Sequence, residues 1–121
     1  MSKKVLVVDD SAAIRQSISF IIEQAGYSVV QGENGQDGVS KLEGDQFDLV
    51  ITDVNMPVMD GIEFVRQIRK HDDYRFTPVV VLTTESQESK MKEGKEAGAT
   101  GWIVKPFDAE KLMSVVKKLI G

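Results

Sequence analysis

Four short runs of aliphatic residues, none of them alternating with polar ones, limit the possible folds of this chain more than any other feature. Val5-Leu6-Val7-Val8 stops at Asp9-Asp10, and Leu49-Val50-Ile51 stops at Thr52-Asp53. Val79-Val80-Val81-Leu82 stops at Thr83-Thr84, and Trp102-Ile103-Val104 stops at Lys105-Pro106. Runs of that length without alternation predict strands buried on both faces, which is what a parallel sheet requires. Parallel strands bring all their C-terminal ends to one edge. Asp9, Asp10, Asp53, Thr83 and Lys105 therefore converge on one small site.

Between these runs the periodicity changes to that of helices. A first strand over about Lys4–Asp9 leads into a helix with Ile14, Ile18, Ile21, Ile22 and Ala25 on one face, ended by Gly26. Tyr27-Ser28-Val29-Val30 is less apolar and reads as an edge strand. Asn34 can cap a short helix that buries Val39 and Leu42. Asp60 with Glu63 forms a capping box for a third helix carrying Ile62, Val65 and Ile68 inward, and Thr84 with Gln87 can do the same for a fourth. That fourth helix, about Gln87–Ala97, has only Met91 and Ala97 as anchors and is weakened by Gly94. Asp108 caps the last helix, which buries Leu112, Val115, Val116 and Leu119. Five βα units in sequence imply right-handed crossovers, an α/β doubly wound parallel sheet with helices on both faces, and a ligand at the strand C-termini.

Composition narrows the class. The chain has 121 residues, 41% hydrophobic and 28% charged, which suits one globular domain spanning residues 1–121. No apolar stretch approaches the roughly 18 residues of a membrane span. The start shows no signal peptide, and the absence of cysteine excludes disulfide and thiolate chemistry. The expected setting is the cytoplasm. A net charge of −4 argues against nucleic-acid binding. Residues 1–60 hold 4 Lys/Arg against 10 Asp/Glu, and residues 61–121 hold 11 against 9, so the halves carry −6 and +2. Lys90, Lys92, Lys95, Lys111, Lys117 and Lys118 read as a solvated surface, or else as a docking face for an acidic partner.

The site chemistry follows from the residue types. Carboxylates crowded together repel and favour a hard cation, and Mg²⁺ binds through one or two carboxylates plus phosphate oxygens. Asp10 and Asp53 suit direct ligation, with Asp9 orienting a bound water. Asp53 can also attack phosphorus to give an aspartyl phosphate. Lys105 can supply positive charge to the transferring group, and Thr83 can donate to a phosphoryl oxygen. Taken singly, each residue has a plainer reading: Asp10 as a helix N-cap, Asp53 as a turn residue, Thr83 as a strand end, Lys105 as a solvated lysine. Their joint arrival at successive strand ends favours the site. His71, in the polar stretch Lys70-His71-Asp72-Asp73, reads as exposed, and Met56, Met59, Met91 and Met113 as filler.

Val8-Asp9-Asp10-Ser11, Thr52-Asp53-Val54-Asn55-Met56-Pro57-Val58-Met59-Asp60-Gly61, Leu82-Thr83-Thr84-Glu85 and Gly98-Ala99-Thr100-Gly101-Trp102-Ile103-Val104-Lys105-Pro106-Phe107 together resemble the receiver domain of two-component response regulators. Within that family the chain looks like the single-domain, CheY-like chemotaxis type. The resemblance covers essentially the whole chain. It implies a flavodoxin-like sheet of order 2-1-3-4-5, with Asp53 as phosphoacceptor and Mg²⁺ held by Asp9, Asp10, Asp53 and the backbone carbonyl of Asn55. It further implies a switch hydroxyl at Thr83, phosphate binding by Lys105 and a cis bond before Pro106. Trp102 stands where the family carries a mobile aromatic, and it also reads as a half-buried edge-strand residue. Asn55 and Glu85 would tune dephosphorylation, giving a phosphoprotein that lasts seconds to minutes.

The implied role is a switch phosphorylated by a sensor histidine kinase, with self-catalysed phosphotransfer and autodephosphorylation as its only chemistry. The change would pass through Thr83 and Trp102 to the face of helix four, strand five and helix five. With only Gly121 after the last helix, action on a separate partner is expected; a monomer is expected as well. Chemotaxis, with the flagellar motor switch as partner, is the leading reading, and a phosphorelay shuttle to a histidine phosphotransferase is the alternative. Neither nucleic acid nor membrane is an expected partner. Two other classes fit less well. A phosphatase of the haloacid dehalogenase type needs a second acid where Asn55 stands, and a flavodoxin-like electron carrier needs a phosphate-cradling loop where Asp9-Asp10 stand.

Overall fold

The computed structural model describes residues 3–84 and 88–121. Strands β1 (Lys4–Val8), β2 (Ser28–Gly32), β3 (Leu49–Asp53), β4 (Val79–Thr84) and β5 (Gly101–Lys105) alternate with helices α1 (Ala12–Gln24), α2 (Gly35–Leu42), α3 (Gly61–Lys70), α4 (Glu88–Ala97) and α5 (Ala109–Ile120). The sheet is parallel throughout and ordered β2-β1-β3-β4-β5, as the family resemblance implies. Asp53 lies opposite Leu82, and Thr83 lies opposite Val104, so the strand ends are level at one edge.

Successive residues of the central strands feed two separate cores, as the twofold alternation of a strand demands. Leu6, Val8, Val50 and Val81 pack with Phe64, Val65 and Ile68 of α3 on one face. Val5, Val7, Leu49, Ile51, Val80 and Leu82 pack with Ile18 and Ile22 of α1 and Leu112 and Val116 of α5 on the other. That arrangement explains why the runs show no alternation: both sides of each strand are covered.

Caps form largely where the side chains allow. Asn34, Asp60 and Asp108 accept the N–H groups of Asp37, Glu63 and Lys111 at 2.8 Å each. The Asp60 box is only half formed, because the carboxylate of Glu63 accepts from Gln67 and Arg66 instead. The Thr84–Gln87 box and the first residue expected for the fourth helix fall outside the described residues.

Several expectations need correction. Ile14 is 36% exposed and Ala25 is exposed, while Ser19 takes a buried place on α1 by donating its hydroxyl to the Arg15 carbonyl at 2.7 Å. Val39, Val115 and Leu119 are half-buried rather than buried. The first strand ends at Val8, and the second is Ser28–Gly32.

His71 is half-buried, not exposed. It caps an unforeseen 3₁₀ turn, Asp72–Tyr74, with its Nδ1 accepting from the Asp73 N–H, and its ring meets Tyr74 edge-on at 5.1 Å. The cause is Tyr74, which needs burial and draws the turn inward. Its hydroxyl donates to the carbonyls of Leu42 and Asp45 at 2.9 and 2.6 Å.

The amino edge of the sheet is closed by Arg69. Its guanidinium donates to Tyr74 and Thr77 carbonyls at 2.8 and 2.7 Å and twice to Gly98 at 3.0 and 2.9 Å. Those bonds tie α3, the 3₁₀ turn and the end of α4 together. Gly98 has φ +114, and a Cβ there would lie 2.9 Å from the Arg69 side chain, so both backbone freedom and close approach demand glycine.

Candidate functional site

Asp9 follows β1, and Asp53 and Lys105 end β3 and β5. Because β1 and β5 flank β3 and β4, these residues reach the same edge without any loop excursion. Asp9 is fully buried and Asp53 is 6% exposed, whereas Asp10 is exposed. Each of the three can offer a carboxylate oxygen, and those oxygens lie within 4.8 Å of one another.

The N-cap of α1 is Ser11, whose side chain accepts from the Ile14 N–H. Asp10 is therefore relieved of the capping role that a lone aspartate after a strand would suggest. Arg15, which the sequence reading passed over, donates to the Asp9 backbone carbonyl at 2.8 Å and to Gln31 at 3.0 Å, fixing the β1–α1 turn. Its signal was position alone: one turn into α1, a cation that faces back along the helix.

The Lys105 Nζ donates to Asp53 Oδ1 at 2.8 Å and lies 3.9 Å from Asp9 Oδ2. Asp53 Oδ1 also accepts from the Val54 N–H at 3.0 Å, and Asp9 Oδ1 from the Ser11 N–H at 2.8 Å. Asp9 Oδ2 is buried with no hydrogen-bond partner among the described residues. Lys105 thus meets two of the three carboxylates, Asp53 and Asp9.

Burial pushes the Asp9 carboxyl above the ordinary carboxylate range. The Ser11 N–H opposes that shift, the Asp53 charge adds to it, Lys105 opposes it and Asp10 adds again. An orphaned, buried acid oxygen beside two other carboxylates fits a hard divalent cation, which takes oxygen ligands and tolerates waters in its remaining positions.

The β3–α3 connection folds back tightly on the end of β3. Gly61 donates its N–H to the Val54 carbonyl at 2.8 Å, and a Cβ on Gly61 would stand 2.0 Å from the Asp53 carbonyl oxygen, so only glycine lets α3 start this close. Asn55 is exposed two residues past Asp53. Val58 has φ 72, and the Met59 N–H bonds back to the Pro57 carbonyl at 2.8 Å, a γ-turn of the strained, left-handed kind. A β-branched residue there is a genuine outlier.

Thr83 is 2% exposed and, by alternation, lies on the same sheet face as Val81, which is also the face where Trp102 packs. Trp102 is half-buried on the edge strand β5. The Lys105–Pro106 bond is cis. Glu85 lies outside the described residues.

Residues 5–117 match the family described as the response regulator receiver domain. The chain belongs to that family. Vibrio cholerae chemotaxis protein CheY4 is a similar receiver: its solved structure superposes with a TM-score of 0.95 at 46% identity, covering 99% of this chain and 100% of that one. The receiver domain of a Pseudomonas aeruginosa sensor histidine kinase, 26% identical with a TM-score of 0.91 over 100% of this chain and 99% of that one, holds a magnesium ion in its active-site cleft. The transcriptional regulatory protein ResD of Bacillus subtilis is 38% identical over 97% of this receiver but extends well past it. This receiver spans about half the length of such relatives, 48% for ResD.

Proposed function

We propose that this receiver, acting as one unit over residues 1–121, accepts a phosphoryl group on Asp53 from a sensor histidine kinase and signals by binding a protein partner. The observation that carries the reading is the contact between Lys105 Nζ and Asp53 Oδ1 at 2.8 Å inside a ring of acids within 4.8 Å. A carboxylate held this way is aimed and has a cation ready for the incoming phosphoryl oxygens.

The roles follow. Asp53 supplies the attacking oxygen, Lys105 moves its hydrogen bond to a phosphoryl oxygen, and Thr83 donates its hydroxyl to another. Asp9, Asp10, Asp53 and the Asn55 carbonyl would hold Mg²⁺, which would offset phosphoryl charge when bound. Thr83 and Trp102, sharing one sheet face, pass the change to the α4–β5–α5 face, where Lys92, Lys95, Lys111, Lys117 and Lys118 are exposed. The protein works in the cytoplasm as a monomer without nucleic acid or membrane; no helix among the described residues is long and apolar enough to cross one.

Likeness to CheY4, a chemotaxis response regulator, supports chemotaxis as the pathway, with the flagellar motor switch as output. A short-lived phosphoprotein, with Asn55 and Glu85 flanking the water path, belongs to that reading. A lifetime of many hours after donor removal points to the phosphorelay shuttle instead.

The test is labelling by acetyl phosphate in Mg²⁺, read by intact mass. The wild-type chain gains one phosphoryl group and Asp53→Asn gains none. Full labelling of Asp53→Asn overturns the assignment.

A further inference from the structure

We propose that an apolar groove beside Lys105 is a subsite for the carbon skeleton of small acyl-phosphate donors, so that longer-chain acyl phosphates phosphorylate Asp53 faster than acetyl phosphate. The inference rests on Asp53 being the phosphoacceptor. The groove has a volume of about 580 Å³, within the range of sites that hold small molecules. Ile14, Ser17, Ile18 and Ile21 of α1 form one wall, Pro106 and Phe107 the other, and Lys105 lines it as well. Its lining is otherwise apolar or small, and Ile14, 36% exposed, contributes more to this surface than to the core.

Lys105 joins the groove to the acceptor, because its Nζ lies 2.8 Å from Asp53 Oδ1. Asp53 is only 6% exposed, so a donor must enter phosphoryl end first and leave its remaining atoms outside. In-line transfer places the leaving group on the far side of phosphorus from the attacking oxygen. The acyl part therefore emerges at the rim of the site and, in this proposal, lies along the groove that Lys105 also lines. A helix rises about 10 Å from Ile14 to Ile21, which leaves room for several carbons.

The step balances without a co-reactant. An Asp53 carboxylate oxygen bonds to phosphorus, the bond from phosphorus to the acyl oxygen breaks, and the carboxylate leaves with that electron pair. No net proton moves.

The experiment compares Asp53 phosphorylation rates in Mg²⁺ with acetyl, butyryl and hexanoyl phosphate. Their leaving carboxylates are of nearly equal basicity, so intrinsic reactivity contributes no trend. A fully buried methylene is worth a factor of about 3 to 4, and an open groove delivers part of that. Butyryl phosphate is expected to react roughly three- to tenfold faster than acetyl phosphate at equal low concentration, and hexanoyl phosphate faster again. Ser17→Trp, at an exposed position, fills the groove and brings the ratio near one; Ile14→Ser lowers it by roughly a factor of three.

Equal rates for the three donors on the wild-type chain overturn the subsite and leave the groove to a protein donor docked over α1. A ratio that survives both substitutions also overturns it. Absence of labelling by every donor, acetyl phosphate included, sinks the phosphoacceptor reading itself.

Discussion

At the amino edge of the sheet, Arg69 donates to the carbonyls of Tyr74, Thr77 and Gly98 at 2.7–3.0 Å, while at the carboxyl edge Asp9 keeps a fully buried oxygen without a hydrogen-bond partner among the described residues. Asp9 is held away from water and Arg69 partly so, being half-buried. At the amino edge, the charge meets acceptors enough to satisfy it; at the carboxyl edge, three carboxylates lie within 4.8 Å of one another and Lys105 pairs with Asp53 and Asp9. A half-buried cation with satisfied donors holds elements together, and removing it orphans its partners. An under-compensated acid cluster costs the empty fold stability and favours whatever brings positive charge. The fold is thus secured at the edge away from the site, and the site itself is left in deficit.

The largest effect expected from breaking this contrast is at Arg69. Arg69→Ala leaves buried carbonyls without donors and is expected to lose about 3 kcal/mol in chemical denaturation. Arg69→Lys recovers only part, since an ammonium cannot fork between Gly98 and the Tyr74 and Thr77 carbonyls as the guanidinium does. Neither change alters the Mg²⁺ concentration that half-saturates the acidic site. A loss below about 1 kcal/mol would mean the network is a surface ornament.

Next in size is the metal. Saturating Mg²⁺, at a hundredfold its dissociation constant, is expected to raise wild-type stability by about 2.7 kcal/mol over chelator. Asp10→Ala removes that gain more completely than a change at the amino edge can. A melting temperature that is the same in chelator and Mg²⁺ argues against a site at the carboxyl edge.

The smallest effect is an alkaline one at the amino edge. Burial, the main cause, raises the Tyr74 hydroxyl above its ordinary value of 10.0. The folded state then holds this proton more tightly than the unfolded chain does. Its contribution is complete below about pH 10 and is lost as pH rises from there through the folded value. The difference in stability between wild type and Tyr74→Phe is therefore expected to narrow above pH 10 and to be flat between pH 6 and 9. A difference that widens with alkali contradicts the burial account.

Much of the carboxyl edge was legible in the sequence. Apolar runs that end in Asp9, Asp53, Thr83 and Lys105 declare themselves, because strand direction and strand end are one-dimensional properties. The same is true of Asn34, Asp60 and Asp108 as caps. The amino edge was not legible. Arg69 and Gly98 are 29 residues apart, and nothing local tells an arginine in a helix that its partners are carbonyls on other elements.

His71 was misread for the same reason: its polar neighbours predict exposure, but the burial of Tyr74 three residues on overrides them. Ile14 fitted the periodicity of α1 yet stays exposed, because a helix can carry an apolar stripe past the edge of what it packs on. Ser11 rather than Asp10 as N-cap is a matter of one position, which propensity alone cannot decide.

The central claim, that the carboxyl edge holds a charge deficit kept for a cation, is tested most directly by unfolding Asp9→Asn beside the wild type in chelator and in Mg²⁺. Asparagine keeps an acceptor for the Ser11 N–H and turns a repelling oxygen into a donor facing carboxylates. The account predicts that Asp9→Asn is more stable than wild type in chelator by about 1 kcal/mol or more and gains far less from Mg²⁺. An Asp9→Asn chain that is less stable than wild type in chelator, yet still gains fully from Mg²⁺, would contradict it.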